Sequence, residues 1–117
     1  MRKLSTHVLD LVHGGPAEGM AIELFREGTG GATMMGRWWT NRDGRTDEPL
    51  LTGDDLIPGQ YELFFGVGDY FRKRGVNLPD PPFLDLVSIR FGVSPGDDGY
   101  HVPLLCSPWA YSTYRGS

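Results

Sequence analysis

Tyr100-His101-Val102-Pro103-Leu104-Leu105-Cys106 is the stretch on which the fold turns. Side chains alternate along an extended chain, so Tyr100, Val102, Leu104 and Cys106 point one way, and His101, Pro103, Leu105 and then Ser107 point the other. The first set reads as core. The second is an outer face, apolar except for its histidine. The same parity holds in Leu4 to Val12, where His7 shares a face with Ser5, Leu9 and Leu11. An outer sheet face carrying Leu9, Leu11 and Leu105 is too apolar to be left wet, which points to a subunit interface.

Working outward, Gly and Pro cut the chain into strand-sized pieces. Ser107-Pro108 leads into a strand from Trp109 to Tyr114, with Arg115 on the face opposite Tyr114, where it can pair with an acidic neighbour, and Gly116 free to turn the chain sharply. Upstream, Ser94 to Gly99 is a loop. Phe83 to Val93 alternates Phe83, Val87, Ile89, Phe91 and Val93 on one face, broken by Asp85. One helix of about two turns fits before it, with Asp69 as cap, Arg72-Lys73-Arg74 at its negative end and Gly75 as terminator. Gln60 to Val67 is a strand introduced by Pro58-Gly59. Met20 to Arg26 and Met34 to Thr40 are two arms around a Gly-rich loop from Glu27 to Ala32. Asn41 to Arg45 is a turn in which Gly44 supplies a positive φ. Seven or eight strands with one short helix predict an all-β, two-sheet β-sandwich, read as a single domain over residues 1–117.

Composition agrees. The 117 residues include 17 Gly and 9 Pro, about twice the usual share of turn-formers, which disfavours a helical bundle. Three Trp, five Tyr and six Phe need burial and argue against disorder. A chain of this length hides roughly two-thirds of its unfolded surface, enough for a core without disulfide or metal. No apolar run approaches membrane-spanning length, and no signal-peptide core follows Arg2-Lys3. The net charge of −4, with no basic stripe, speaks against nucleic acid. A cytoplasmic location is the default expectation. The lone Cys106 excludes an internal disulfide and a Cys-based zinc site.

Groups that titrate near neutrality are His7, His13 and His101. No two of them have metal-ligand spacing. There is no Gly-x-Ser-x-Gly, and Gly28-Thr29-Gly30-Gly31 lacks the Lys-Thr ending of a phosphate loop. Taken alone, each histidine fits a structural role, Arg45 a solvated turn and Tyr114 to Ser117 a frayed tail.

A resemblance changes that weighting. Leu4-Ser5-Thr6-His7-Val8-Leu9-Asp10, Gly19-Met20-Ala21-Ile22-Glu23-Leu24 and Thr40-Asn41-Arg42-Asp43-Gly44-Arg45-Thr46-Asp47 resemble the 5-hydroxyisourate hydrolases, the transthyretin-related enzymes of urate breakdown. So do Gly68-Asp69-Tyr70-Phe71 and Leu78-Pro79-Asp80-Pro81-Pro82-Phe83-Leu84-Asp85. The most specific match is Tyr100-His101-Val102-Pro103-Leu104-Leu105 with Ser107-Pro108 and the ending Tyr111-Ser112-Thr113-Tyr114-Arg115-Gly116-Ser117. The hormone-carrier branch ends differently and lacks the histidine in the penultimate strand.

The resemblance implies a transthyretin-like homotetramer, a dimer of dimers, with active sites in the channel between dimers. It implies hydrolysis of 5-hydroxyisourate to 2-oxo-4-hydroxy-4-carboxy-5-ureidoimidazoline. Carried over residue by residue, it assigns catalysis to His7, Arg45, His101 and Ser117 and substrate binding to His7, Arg45 and Tyr114, with no cofactor. Gly99 stands where many relatives carry a further histidine, which argues for metal-free hydrolysis. Arg37-Trp38-Trp39 departs from the smaller residues expected before Thr40-Asn41. The chemistry needs an activated water, a seat for the oxyanion and a grip on a planar ring. A neutral histidine supplies the base, with His101 favoured and His7 orienting water or protonating the leaving nitrogen. Arg45 supplies a planar two-pronged donor. The competing reading is a non-catalytic transthyretin-like carrier of a small ligand, which would want apolar or small groups at these positions.

Overall fold

The computed structural model describes residues 2–116. Its strands are β1 (Lys3–Asp10), β2 (Gly15–Pro16), β3 (Ala21–Gly28), β4 (Gly31–Trp39), β5 (Leu51–Thr52), β6 (Gly59–Gly66), β7 (Leu86–Val93), β8 (Gly99–Cys106) and β9 (Tyr111–Thr113), with an α-helix, α1 (Val67–Lys73), and a 3-10 turn at Gly53–Asp55. One sheet runs β2-β1-β8-β9 with β5 also paired to β1; the other runs β4-β3-β6-β7. The β1–β8 pair is parallel, and all other pairs are antiparallel. The predicted two-sheet sandwich is what forms.

Its core is filled by alternate residues from both sheets. Leu4, Val8 and Leu104 face Ile22, Leu24, Leu63 and Phe65, all fully buried. Each contributes about 1.5–3 kcal/mol of transfer free energy. Tyr100, Val102, Leu104 and Cys106 are buried as their parity predicts, and burial pushes the Cys106 thiol up to about 12, so it is inert.

Several boundaries differ from the sequence reading. β1 stops at Asp10, two residues early, because the Asp10 carboxylate accepts the backbone N–H groups of Val12 (2.8 Å) and His13 (2.9 Å) and turns the chain. Leu11 therefore leaves the sheet face and is exposed. β7 begins at Leu86, so Phe83 is outside it and exposed, its ring 6.0 Å from that of Trp109. The Glu27–Ala32 loop shrinks to Thr29-Gly30, with strand pairing continuing to Gly28 and Gly31. β9 holds only three residues. Gly66, not Asp69, precedes α1; Asp69 sits within the first turn, where its charge still suits the helix dipole.

The flagged Trp38 and Trp39 lie on β4, in the sheet opposite β1 and β8. Trp38 folds over Gly36, where an added Cβ would come within 2.5 Å of the indole. Trp39 is exposed beneath the Arg37 guanidinium, 5.4 Å from its ring centre.

Candidate active site

Parallel pairing of β1 with β8 builds the site. The register sets Ser5 opposite His101 and His7 opposite Pro103. Lys3, Ser5, His7 and His101 thus share the outer face, and the two imidazoles approach diagonally, 6.5 Å between ring centres. Ser5 Oγ lies 2.8 Å from His101 Nδ1.

The turn from Asn41 to Arg45 brings the third group. Asn41 Oδ1 accepts the N–H groups of Asp43 (2.9 Å) and Arg45 (3.2 Å), and Gly44 O accepts from Val8 N (2.8 Å), pressing the turn against β1. Gly44 is required twice over: its φ is +74°, and a Cβ there would lie 2.4 Å from Val8 O. Arg45 therefore stands beside both rings. Burial and the Arg45 charge hold His7 below the usual histidine value, against a smaller opposing pull from Asp43. Burial, Arg45, His7 and Lys3, in that order, do the same to His101. Both rings are neutral at pH 7, the state a base needs.

The tail closes one side. Thr113 Oγ1 donates to Pro103 O (2.7 Å), and Gly116 N donates to His101 O (2.8 Å). Gly116 was expected to supply a sharp turn. It instead lacks a positive φ and serves close approach: a Cβ there would meet His101 Cδ2 at 2.6 Å. Arg115 lays its guanidinium 4.2 Å over the Tyr100 ring and lies 3.7 Å from Asp97, the acidic pairing its strand face predicts. An open cleft of about 690 Å³ results, lined by Lys3, Ser5, Arg45, Asp98, Gly99, Tyr100, His101, Arg115 and Gly116.

Of the residues singled out from sequence, His7, Arg45 and His101 come together. Tyr114 is exposed and does not line this cleft within one chain. Ser117 lies outside the described residues. Ser5 and Lys3 were missed. Their parity with His7 was visible, but their nearness to His101 depends on a parallel register that no local pattern encodes. Gly99 lies against β1, where a Cβ would fall 2.6 Å from Lys3 O, so a larger residue there requires the backbone to shift. Among the described residues no three His, Cys, Asp or Glu side chains are grouped to hold a metal ion.

A two-sheet sandwich whose outer face carries His7, His101 and Arg45, the last two lining a cleft, defines a transthyretin-type fold carrying a polar site. The chain matches the HIUase/Transthyretin family over residues 4–116 and belongs to that family. It is 55% identical over 117 residues to a 5-hydroxyisourate hydrolase of Pseudomonas aeruginosa, covering 100% of this chain and 93% of that protein. Among solved structures it is similar to (S)-allantoin synthase, with TM-score 0.93 and 47% identity over 99% of this chain, and it spans only 44% of the length of that protein. It is also similar to sea bream transthyretin in complex with thyroxine, with TM-score 0.87 and 26% identity, covering 97% of this chain and 94% of that one.

Proposed function

We propose that the chain hydrolyses 5-hydroxyisourate to 2-oxo-4-hydroxy-4-carboxy-5-ureidoimidazoline in urate breakdown, as a single transthyretin-like hydrolase domain. The observation that carries this reading is the juxtaposition of His7 and His101, 6.5 Å apart, with Arg45 beside both. Two neutral bases and a fixed cation suit acyl hydrolysis and have little use in an apolar carrier pocket. The stronger likeness to a hydrolase than to transthyretin favours the same reading over a carrier.

In the reaction, His101 removes a proton from water as it attacks a ring carbonyl. Arg45 stabilises the oxyanion that develops. The carbon–nitrogen bond then breaks, the departing nitrogen takes up the proton that His101 accepted, passed to it by way of His7, and the ring opens to a carboxylate. Tyr114 and Ser117, contributed where dimers meet in a homotetramer, complete the pocket. Catalysis needs no metal or cofactor, and the enzyme works in the cytoplasm with no nucleic-acid or membrane partner. Among the described residues no helix is long and apolar enough to cross a membrane.

The test follows the near-ultraviolet absorbance of freshly made 5-hydroxyisourate with and without protein. Accelerated decay that survives EDTA is expected. Decay at the spontaneous rate would overturn the hydrolase reading, and EDTA inhibition reversed by zinc would overturn its metal independence.

A further inference from the structure

A neutral imidazole has one hydrogen for two nitrogens, and only the nitrogen without it can act as a base. Free in water the hydrogen favours Nε2, the wrong arrangement for a ring meant to accept a proton through that atom. In His101, Nδ1 lies 2.8 Å from Ser5 Oγ. The Cδ2 edge of the ring lies against Gly116. Nε2 is the remaining nitrogen, on a ring that lines the cleft with Lys3 and Arg45.

A serine hydroxyl can either donate to Nδ1 or accept from it. The first would leave the hydrogen on Nε2, the second a lone pair. The field of the cleft separates the two. Of the charged groups lining the cleft, Lys3, Arg45 and Arg115 are cations and Asp98 is an anion; Arg45 and Lys3 act on the His101 ring, and in their field a lone pair on Nε2 is favoured over an N–H. We propose that Ser5 is a positioning residue that accepts the Nδ1 hydrogen of His101 and so keeps the Nε2 lone pair available to the attacking water. The inference rests on the reading of His101 as the base. Ser5 needs no contact with substrate for this role. It acts through the ring, whose tautomer is set by the partner of its other nitrogen.

Nitrogen-15 NMR of the labelled wild-type chain at about pH 8, where both rings are neutral, should show the His101 hydrogen on Nδ1. Ser5→Ala should move it mainly to Nε2 and lower kcat about tenfold with KM within about twofold, a loss smaller than removal of the base itself. Ser5→Thr, which keeps the hydroxyl, should restore both the tautomer and most of the rate. An Nε2 hydrogen in the wild type overturns the proposal without any variant. So does Ser5→Ala at full kcat. His101→Asn separates the two layers of the argument. If it retains activity, the base assignment falls and the role of Ser5 with it; if it is inactive while Ser5→Ala is unimpaired, only the positioning role falls.

Discussion

Burial first and the Arg45 charge second shift the pH range over which the two imidazoles are neutral. Burial and this cation hold both below the usual histidine value. A base must be unprotonated, so kcat/KM should be flat near neutrality and fall as pH drops below about 6.5. Arg45→Gln removes one of the acid-shifting causes. Beyond its loss of rate, the falling limb of kcat/KM against pH should move to higher pH, and a limb that stays in place would show that the charge does not reach the rings. His101→Asn should cost on the order of 10²-fold or more in kcat with the fold intact. Gly116→Ala should cost at least about tenfold in kcat/KM, because its methyl would displace a ring that the tail now touches. At this scale His7 and His101 by themselves fitted structural roles and Arg45 a solvated turn; only the family resemblance marked them as candidates for the site. Ser5 was not singled out, since its partner is 96 residues away. Gly116 was read for freedom when it serves proximity.

Elements were legible where periodicity is long and failed where side chains end them. The apolar letters of Leu11 and Val12 continue the pattern of β1, but the Asp10 carboxylate captures the next two amides and the strand stops. β2 and β5, two residues each, are too short for any period. Asp10 also ties β1 to α1, since it accepts the Tyr70 hydroxyl (2.7 Å) and lies 2.6 Å from His13 Nδ1. Burial opposes its ionisation, yet these hydrogen bonds hold the carboxyl below its ordinary value. With the folded value depressed, the stabilisation is complete above about pH 4 and is lost as pH falls through the folded value. Asp10→Ala should remove that acid limb and cost about 2–4 kcal/mol by orphaning buried donors, read by urea unfolding at pH 7. The tail behaves in the opposite sense. Removing residues 114–117 should lower kcat/KM more than tenfold, about 1.4 kcal/mol. Tm should move only a few degrees, because little apolar area leaves with it.

For the whole molecule, the outer face of the β1–β8 sheet carries half-buried Leu9 and Leu105 beside the histidines, with Trp109 and Tyr114 exposed nearby. Light scattering should give four times the 13.0 kDa chain; a stable, active monomer would contradict the proposed tetramer. The sandwich was legible from its turn-formers and aromatics, whereas the order of strands was not, because pairing across the chain leaves no local trace. That order has a consequence for how the protein is made. His7 and Arg45 leave the ribosome early, but they meet their partner only after β8 has followed, at some 5–20 residues per second. Until then the Lys3–Asp10 segment has an unoccupied edge where its parallel neighbour belongs, and the closure of so long a loop comes late in assembly. A prematurely terminated product can hold two of the three polar groups and still lack the cleft. Turnover in a cell-free translation reaction should therefore lag behind the appearance of the first half of the polypeptide, so that activity reports a chain synthesised through its penultimate strand.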